Sequence, residues 1–285
     1  MKRILITGKN SYIGKHVKDW LENGSKLYEV TEIDVKTQDW IQEDFSKYDT
    51  ILHVAGIAHV STNKKLEDLY YKVNRDLAID VAKKAKQEKV GQFIFMSSMI
   101  IYGDDETVGK IRVIDKNTVP QPKNFYGASK LQAEQGIQQL EDENFKTVIV
   151  RTPMVYGPNC KGNFQRLKKI AKLSPIFPDI ENDRSMIYID NLCEFIKQLI
   201  DTEKHGIFFP QNKEYISTKQ IIQVMAENMN KKIHFIKLFN PILKLLSRKI
   251  NLINKVFGTK IYAKELSEEF DYIVVDNEES IRRSV

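Results

Sequence analysis

The chain has 285 residues, of which 44 are Lys or Arg and 38 are Asp or Glu, so its formal charge is +6. A hydrophobic share of 42% with 10% aromatic residues is typical of globular proteins and excludes the disordered and fibrous classes. The length allows one large domain or two small ones. Two cysteines, Cys160 and Cys193, do not make a disulfide framework, so we expect a reducing, cytoplasmic environment.

The N-terminus begins with basic residues, but the apolar run that follows covers only Ile4, Leu5 and Ile6. This run is too short for the apolar region of a signal peptide, so we expect none. No stretch of the sequence reaches the ~18 uncharged apolar residues that a membrane-spanning helix needs.

Short apolar runs alternate with helical patterns along the first half of the chain. The runs predict buried strands at Arg3–Ile6, Leu27–Ile33, Thr50–Val54, Gln92–Met96 and Thr147–Val150. Apolar residues three and four positions apart predict helices around residues 13–21, 66–81 and 131–140. Alternating strands and helices of this kind predict an α/β fold, a Rossmann-type doubly wound parallel sheet.

The order of the elements also predicts the domain organisation. Only residues 35–50 separate the second strand from the third, so we expect a shortened helix or a loop there. After Val150 the sequence becomes rich in Pro, Gly and Asn, which indicates a smaller α/β substrate-binding lobe. We assign residues 1–155 to the dinucleotide-binding domain, expect 186–210 to return to it, and assign 156–185 and 211–285 to the lobe.

A glycine turn joins the first strand to the first helix and predicts a dinucleotide site. Gly8 permits the turn, Gly14 permits close packing of helix on strand, and Ser11 stands where a middle glycine is common. Backbone N–H groups at the start of the helix are suited to a pyrophosphate. The predicted contacts of this turn are Gly8, Asn10, Ser11, Tyr12, Ile13 and Gly14.

Asp34 follows the second predicted strand and strengthens this prediction. A carboxylate at that position accepts hydrogen bonds from both ribose hydroxyls and repels a 2′-phosphate, which favours NAD. Lys36 lies two residues further on and offsets the repulsion, so NADP stays open as the alternative.

Tyr126 and Lys130 lie four residues apart at the start of a helical pattern, on one face of the helix. A neighbouring ammonium stabilises the phenolate, so we expect Lys130 to lower the pKa of Tyr126. The phenol then exchanges a proton with a carbonyl or alcohol oxygen while hydride moves at the carbon. Upstream, the strand ending at Ser97 and Ser98 brings two hydroxyls to the carboxyl edge of the sheet, where such folds bind ligands.

These motifs resemble the extended short-chain dehydrogenase/reductases that act on nucleotide sugars. The resemblance is carried by TGKNSYIG, Asp34, HVAG, VNRD, FMSSMIIYG, YGASK and RTPMVYGP, which together span residues 1–158. It implies that Tyr126 is the acid/base, that Lys130 binds the nicotinamide ribose and that Ser98 hydrogen-bonds the reacting oxygen. It also implies an active-site role for Asn74, an adenine contact for Asp44 and Phe45, and cofactor contacts for Ala55, Gly56, Pro153 and Val155.

Residues 161–192 narrow the resemblance to bacterial reductases of UDP-4-keto-6-deoxy-HexNAc sugars, which are relatives of the UDP-sugar 4-epimerases. By this resemblance Arg184 contacts the substrate diphosphate, and Asn163 lies in the loop over the nucleotide sugar. The alternative for Arg184 is a surface arginine paired with Asp183 or Asp190.

Metal and hydrolase chemistries find no support in the sequence. The five histidines and two cysteines have no close zinc-ligand spacing, and His53 and His59, with five residues between them, have no carboxylate partner in the sequence. We therefore expect no metal. Ser97 and Ser98 are not in a G-x-S-x-G setting, which argues against a nucleophilic serine.

A basic segment at residues 231–260 carries eight Lys or Arg and no Asp or Glu, so the rest of the chain has 36 basic against 38 acidic residues. Within it, Asn240, Pro241 and Gly258 predict the ends of a single helix. Its predicted core-facing stripe is Leu243, Leu246, Ile250, Ile253 and Phe257. The simpler interpretation is a solvated basic face, and the alternative is peripheral contact of residues 240–258 with an anionic membrane.

The predicted function is NAD(P)H-dependent reduction of the C4 ketone of a UDP-linked deoxy-hexosamine. C4 epimerisation with bound NAD uses the same residues and is the nearest alternative. A catalytically silent dinucleotide-binding regulator is the alternative of another class. The resemblance implies a homodimer, and the sequence lacks a pattern that would predict nucleic-acid binding.

Overall fold

The computed structural model describes residues 1–23, 26–57 and 63–285. It has twelve named strands within these ranges: β1 (Lys2–Thr7), β2 (Tyr28–Ile33), β3 (Thr50–His53), β4 (Gln92–Ser98), β5 (Ile111–Ile114), β6 (Lys146–Thr152), β7 (Met154–Tyr156), β8 (Ile176–Pro178), β9 (Met186–Tyr188), β10 (Gly206–Phe208), β11 (His234–Ile236) and β12 (Thr259–Tyr262). His59 lies outside the described residues.

The helices alternate with these strands. They are α1 (Tyr12–Glu22), α2 (Glu67–Tyr70), α3 (Leu77–Gln87), α4 (Phe125–Gln138), α5 (Asn163–Leu173), α6 (Ile189–Asp201), α7 (Thr218–Asn228), α8 (Asn240–Leu246), α9 (Asn251–Phe257) and α10 (Asn277–Arg283). Within the described ranges, no helix is both long enough and apolar enough to cross a bilayer.

Six parallel strands form the central sheet in the order β10-β6-β4-β3-β1-β2. Successive residues of each strand alternate between two cores: Ile4 and Ile6 face one, and Leu5 faces the other. Burial on both faces is characteristic of parallel sheets covered by helices. The predicted doubly wound α/β fold is confirmed.

The short second crossover positions the ligand crevice. A 3₁₀ helix at Gln38–Gln42 replaces an α-helix, and the chain then places β3 on the opposite side of β1 from β2. The strand order therefore reverses at β1, and Thr7 of β1 is paired with His53 of β3 at the carboxyl edge. Open α/β sheets bind ligands at such a reversal.

The predicted helix at residues 66–81 contains an irregularity that periodicity does not show. Between α2 and α3 the chain forms a π-helical turn at Tyr71–Asp76, which contains the buried Asn74. Such wide turns inside helices occur frequently at functional sites.

The later part of the chain contributes to the central sheet and to three small ones. Helix α6 packs on α1, and β10 adds to the edge of the sheet beside β6. The pairs β7–β9, β8–β11 and β5–β12 are each two-stranded and parallel. The β5–β12 pair links the segment after Tyr102 to the C-terminal region.

The basic segment differs from the predicted single helix. It forms α8 and α9, separated by residues 247–250, because the Asn254 side chain donates to the Ser247 carbonyl at 2.9 Å and Ile250 is extended. Leu243, Ile253 and Phe257 pack against or within the core as predicted. Leu246 and Ile250 are instead exposed, so that part of the predicted stripe is wrong.

Candidate functional site

The glycine turn after β1 has the shape that a dinucleotide requires. Gly8 has φ of +113°, and a Cβ on it would lie 2.9 Å from the backbone N of Ala55. On Gly14, a Cβ would lie 3.0 Å from Ile6, which shows how closely α1 approaches β1. A side chain at Gly8 would collide with the backbone of Ala55, so this turn at the strand reversal requires glycine, and the residues present fit an NAD(P) cofactor.

The start of α1 presents backbone N–H groups beside this turn. Ser11 is the N-cap residue, and its hydroxyl oxygen accepts a hydrogen bond from Gly14 N at 3.1 Å. Asn10 has φ of +63°, which completes the tight entry into the helix. The first N–H groups of an α-helix have no partner within the helix, so they are available to a phosphate.

The side chains of Tyr12 and Ile13 point into the protein rather than towards a cofactor. Both pack against the core beside α1. A Cβ on Gly157 would lie 2.6 Å from the Tyr12 hydroxyl, and burial raises the pKa of that phenol. The predicted cofactor contact of these two residues is therefore restricted to their backbone, because the interior holds both side chains.

Asp34 lies directly after β2, near the glycine turn. The backbone N of Gly8 donates to the Ile33 carbonyl at 3.0 Å, which joins the two segments. The Asp34 carboxylate is exposed and accepts from the backbone N of Lys36 at 2.9 Å. The structure thus places a carboxylate beside the turn, where the ribose of a dinucleotide is expected.

Phe45, one of the two predicted adenine contacts, lies in the interior of the protein. Its ring is fully buried in the core beside Trp40, and its backbone N donates to Glu88 Oε2 at 2.5 Å. The ring and the N–H group are thus both engaged within the protein. Asp44 is exposed, and its carboxylate accepts from the Ser46 hydroxyl at 2.6 Å, which lowers its pKa. Of the predicted pair, only Asp44 presents a side chain to the surface.

Gly56, Asn74 and Lys130 meet at the other end of the predicted cofactor site. A Cβ on Gly56 would lie 3.0 Å from Asn74 Oδ1 and 3.3 Å from Lys130 Nζ. Asn74 Oδ1 accepts from Ile57 N at 2.8 Å, and its Nδ2 donates to Ile57 O at 3.2 Å. Asn74 therefore holds the loop after β3 in place, which is a positioning role. Ala55 N donates to Thr7 O at 3.0 Å and anchors the same loop.

Tyr126 lies at the start of α4, and the Ser98 side chain is close enough to influence its pKa. Asn124 caps α4 by accepting from Gly127 N at 2.9 Å, which places Tyr126 in the first turn. The Tyr126 phenol is buried, and burial raises its pKa to about 12, while the Ser98 side chain acts in the opposite direction. At neutral pH the phenol is therefore protonated.

Lys130 differs from the sequence expectation. Its ammonium donates to the Met96 carbonyl at 2.8 Å and lies 4.4 Å from the centre of the Phe95 ring. Burial lowers the pKa of Lys130 to about 8, an effect that the negative charge of Glu134 opposes. The sequence predicted that Lys130 lowers the pKa of Tyr126. The pKa of Tyr126 is instead raised, because desolvation of the phenolate dominates and Lys130 does not contribute to the shift.

A buried polar network that the sequence analysis missed lies on α4 beyond Lys130. Glu134 accepts from Arg151 Nη2 at 2.7 Å and also accepts from the Ser97 hydroxyl. The other arm of Arg151 donates to the Tyr102 hydroxyl at 2.7 Å. The sequence did contain one sign of this network: Arg151 directly follows the apolar strand sequence TVIV. An arginine buried at such a position needs a carboxylate partner.

Pro153 and Val155 lie at the carboxyl edge of the sheet, where β6 passes into β7. Pro153 is buried, Val155 is partly buried and pairs with Ile187 of β9, and Thr152 donates from its hydroxyl to Ser97 O at 2.9 Å. These contacts bring the segment next to the end of β4, on which Ser98 lies.

Arg184 has a partner that neither sequence interpretation named. Its guanidinium lies 3.4 Å from Asp105 and donates to the Gly258 carbonyl at 3.3 Å. Both members of the ion pair are largely buried. Arg184 thereby ties the segment after Tyr102 to the lobe. Asn163 is exposed and begins α5, after Gly162 with φ of +97°.

His53 is buried at the carboxyl end of β3, and its neighbours are not those of a metal ligand. Its Nδ1 lies 2.7 Å from the Thr7 hydroxyl, and its ring stacks on Phe93 and Phe95. Burial lowers the pKa of His53 to about 3, and the charge of Lys130 acts in the same direction. Among the described residues, no cluster of His, Cys, Asp or Glu has the geometry to hold a metal ion.

Comparison with known proteins agrees with this geometry. The model of the "NAD dependent epimerase/dehydratase family" matches residues 4–209. A UDP-glucose 4-epimerase from Vibrio cholerae is 28% identical over 255 residues, which cover 81% of this chain and 76% of that protein. An N-acetyl-alpha-D-glucosaminyl-diphospho-ditrans,octacis-undecaprenol 4-epimerase from Escherichia coli O157:H7 is 26% identical and covers 90% of this chain and 81% of that protein.

Solved structures show the same fold. A dTDP-4-dehydrorhamnose reductase from Bacillus anthracis in complex with NADP has a TM-score of 0.68 at 25% identity and covers 83% of this chain and 84% of that chain. A UDP-glucuronic acid 4-epimerase from Bacillus cereus in complex with NAD has a TM-score of 0.74 at 20% identity, covering 99% and 94%. The predicted NAD(H) or NADP(H) cofactor is thus confirmed by the family and these neighbours.

Proposed function

The chain belongs to the NAD dependent epimerase/dehydratase family, and we propose that it reduces the C4 ketone of a UDP-linked 4-keto-6-deoxy-N-acetylhexosamine with NAD(P)H. Such a reaction belongs to the synthesis of sugar nucleotides for surface polysaccharides. An enzyme of the NAD-dependent sugar-nucleotide class is supported by the family and its relatives. The choice of reduction and of the sugar is our proposal.

One observation carries the proposal: the buried Tyr126, with Lys130 one turn further along α4, lies on the helix that packs against β4, whose last residue is Ser98. Ketone reduction requires a proton donor for the oxygen that becomes an alcohol. A phenol with a pKa of about 12 holds its proton at neutral pH and is suited to that step. Epimerisation uses the same phenol, first as a base and then as an acid, so net consumption of the reduced cofactor is what distinguishes the two reactions.

Each residue of the site has a separate role in the proposed reaction. NAD(P)H supplies a hydride when bound. Ser98 orients the ketone oxygen, and Tyr126 donates its phenolic proton to that oxygen as negative charge develops there. The ammonium of Lys130, within reach of the Gly56 backbone, stabilises the ribose end of the cofactor site. Asn74 keeps residues 55–57 in the position that this arrangement requires.

Cofactor and substrate contacts follow from the same placement. We assign the pyrophosphate to the backbone N–H groups of Tyr12 and Ile13 at the start of α1, the ribose hydroxyls to Asp34, and the nicotinamide side to Pro153 and Val155. Asp34 favours NAD over NADP by repelling a 2′-phosphate. Arg184 is assigned to the UDP diphosphate and Asn163 to the loop over the nucleotide. Arg184 must then exchange its Asp105 contact for the diphosphate, an exchange that a bidentate guanidinium–phosphate pair favours.

The second candidate function is C4 epimerisation of a UDP-sugar with retained NAD. It is favoured by the names of the curated relatives, which include UDP-glucose 4-epimerases and a 4-epimerase of a lipid-linked N-acetylglucosaminyl diphosphate. A catalytically silent regulator is disfavoured because Ser98, Tyr126 and Lys130 are all present. We also propose a homodimer, which light scattering of the purified protein tests.

The deciding experiment measures consumption of the reduced cofactor. The protein is incubated with UDP-4-keto-6-deoxy-HexNAc and, separately, NADH or NADPH, and the C4 configuration of the product is read by NMR. We expect stoichiometric loss of the reduced cofactor, with NADH preferred. Interconversion of UDP-GlcNAc and UDP-GalNAc without added reductant would instead establish the epimerase.

A further inference from the structure

Helices α8 and α9 and the segment before them carry a concentration of exposed apolar side chains. Of the eighteen large hydrophobic residues that are exposed in the described part of the chain, seven lie between positions 238 and 252. They are Leu238, Phe239, Ile242, Leu245, Leu246, Ile250 and Leu252. We call these seven the α8–α9 surface. Exposed large apolar side chains concentrated in one short segment are typical of interaction sites.

The same segment is strongly basic. From residue 228 to residue 264 the sequence has no Asp or Glu, and Lys237, Lys244, Arg248 and Lys249 are interspersed with the apolar residues. Among the described residues, none of these four cations forms a salt bridge. Apolar and cationic groups are therefore exposed together, which is the composition of an interfacial helix.

A cavity of about 450 Å³ opens beside this surface. It is lined by Thr107, Val108, Gly109, Lys110, Lys244 and Arg248. Lys244 lies over Gly109, where a Cβ would be 3.5 Å from its Cε. The three acids that precede the cavity act on other cations: Asp105 pairs with Arg184 at 3.4 Å, Glu106 lies 3.9 Å from Arg112, and the charge of Asp104 acts on Lys260. Three cations thus surround a cavity of a size suited to an anionic headgroup.

We propose that the α8–α9 surface docks on an anionic lipid bilayer, with Lys110, Lys244 and Arg248 around a headgroup phosphate. Charge complementarity selects this occupant, because anionic lipids attract clustered Lys and Arg while the apolar side chains enter the headgroup region. A second copy of this chain would bring the same cations against each other. Nucleic acid would leave the seven apolar residues in water. The inference does not depend on which sugar reaction the active site performs.

Vesicle flotation tests the docking. The full-length protein is mixed with vesicles of phosphatidylcholine alone or of phosphatidylcholine and phosphatidylglycerol in equal parts, at low salt. We expect binding only to the anionic vesicles, and weaker binding as salt is added. The variant K110Q/K244Q/R248Q is expected to bind about 100-fold more weakly, since each cation near an anionic surface contributes roughly fivefold. The variant I242S/L245S should lose about tenfold or more, because two apolar side chains no longer leave water.

Matched controls separate docking from unfolding and from general charge. K83Q/K116Q/K169Q removes three exposed lysines elsewhere, and L27S/V119S removes two similarly exposed apolar residues. Both should bind like the unaltered protein, and thermal unfolding should be unchanged in all four variants. The inference is overturned if the unaltered protein does not bind anionic vesicles, or if the docking variants bind as well as their controls. A change of oligomeric state in I242S/L245S with unchanged vesicle binding would assign the surface to a second copy instead.

Discussion

Glu134 and Arg151 form a buried ion pair, with 2.7 Å between Oε2 and Nη2, that joins the catalytic helix α4 to strand β6. The carboxylate side chain is 1% exposed and that of the arginine 9%. Arg151 continues the network to Tyr102, and Glu134 continues it to Ser97 at the end of β4. The pair therefore fixes the position of α4 relative to the strand that carries Ser98.

Removing one member of this pair is expected to destabilise the protein. Glu134→Gln leaves the Arg151 charge buried without a counter-ion, so the free energy of unfolding should fall by about 3 kcal/mol. Urea denaturation measures this change. In Glu134→Gln/Arg151→Met no charge is stranded, so the loss should be smaller than the sum of the two single losses. Additive losses would show that the two residues do not act as a pair.

The cofactor cradle is tested by comparing two glycines with positive φ. Gly8→Ala introduces both backbone strain and a contact of 2.9 Å with Ala55 N, whereas at Gly206 (φ of +107°) a Cβ meets no atom within 4 Å. Each variant should lose roughly 1–3 kcal/mol of stability from strain. Only Gly8→Ala should also lose cofactor affinity, which titration calorimetry with NADH measures. Equal affinities in the two variants would place the cofactor elsewhere.

Tyr126→Phe removes only the hydroxyl of the proposed proton donor and keeps its aromatic ring. We expect turnover to fall by about 10²–10⁴-fold while the fold is retained. The matched control is Tyr272→Phe, which removes a buried hydroxyl that donates to Gln211 O at 2.7 Å, away from the site. This control should lose stability but keep its turnover. Unchanged turnover in Tyr126→Phe would exclude the proton-donor role.

The pKa of Lys130 predicts how kcat/KM changes at alkaline pH. Burial lowers its pKa to about 8, so the ammonium is present below that pH and is lost as the pH rises through it. We expect kcat/KM to fall as the pH increases above about 8. Lys130→Arg keeps its charge and should flatten this limb at a reduced rate. Because Glu134 raises the pKa of Lys130, Glu134→Gln should move the limb to lower pH. A limb that stays in place in both variants would belong to another group.

Much of the fold was predictable from local patterns. The predicted strands correspond to β1, β2, β3, β4 and β6, because apolar runs between turns are a strong signal for a parallel sheet buried on both faces. The glycine turn was equally readable, since Gly8 has the positive φ that only glycine adopts easily. The π-helical turn at Asn74 was not predictable, because an apolar spacing of three and four does not distinguish it from an α-helix.

The site was less predictable where partners lie far apart in the chain. Arg184 meets Asp105, which is 79 positions away, and sequence offered only its neighbours Asp183 and Asp190. Phe45 follows an aspartate that resembles an adenine contact, yet tertiary packing buries its ring. The pKa of Tyr126 also depends on burial, which the four-residue spacing to Lys130 does not report.

The central claim is ketone reduction with a proton from Tyr126, and hydride transfer tests it most directly. The protein is supplied with UDP-4-keto-6-deoxy-HexNAc and reduced cofactor that carries deuterium at the transferred position. We expect one deuterium at C4 of the product for each cofactor oxidised, and a much slower transfer in Tyr126→Phe. Turnover that leaves C4 without deuterium, with the added cofactor unoxidised, would contradict this claim.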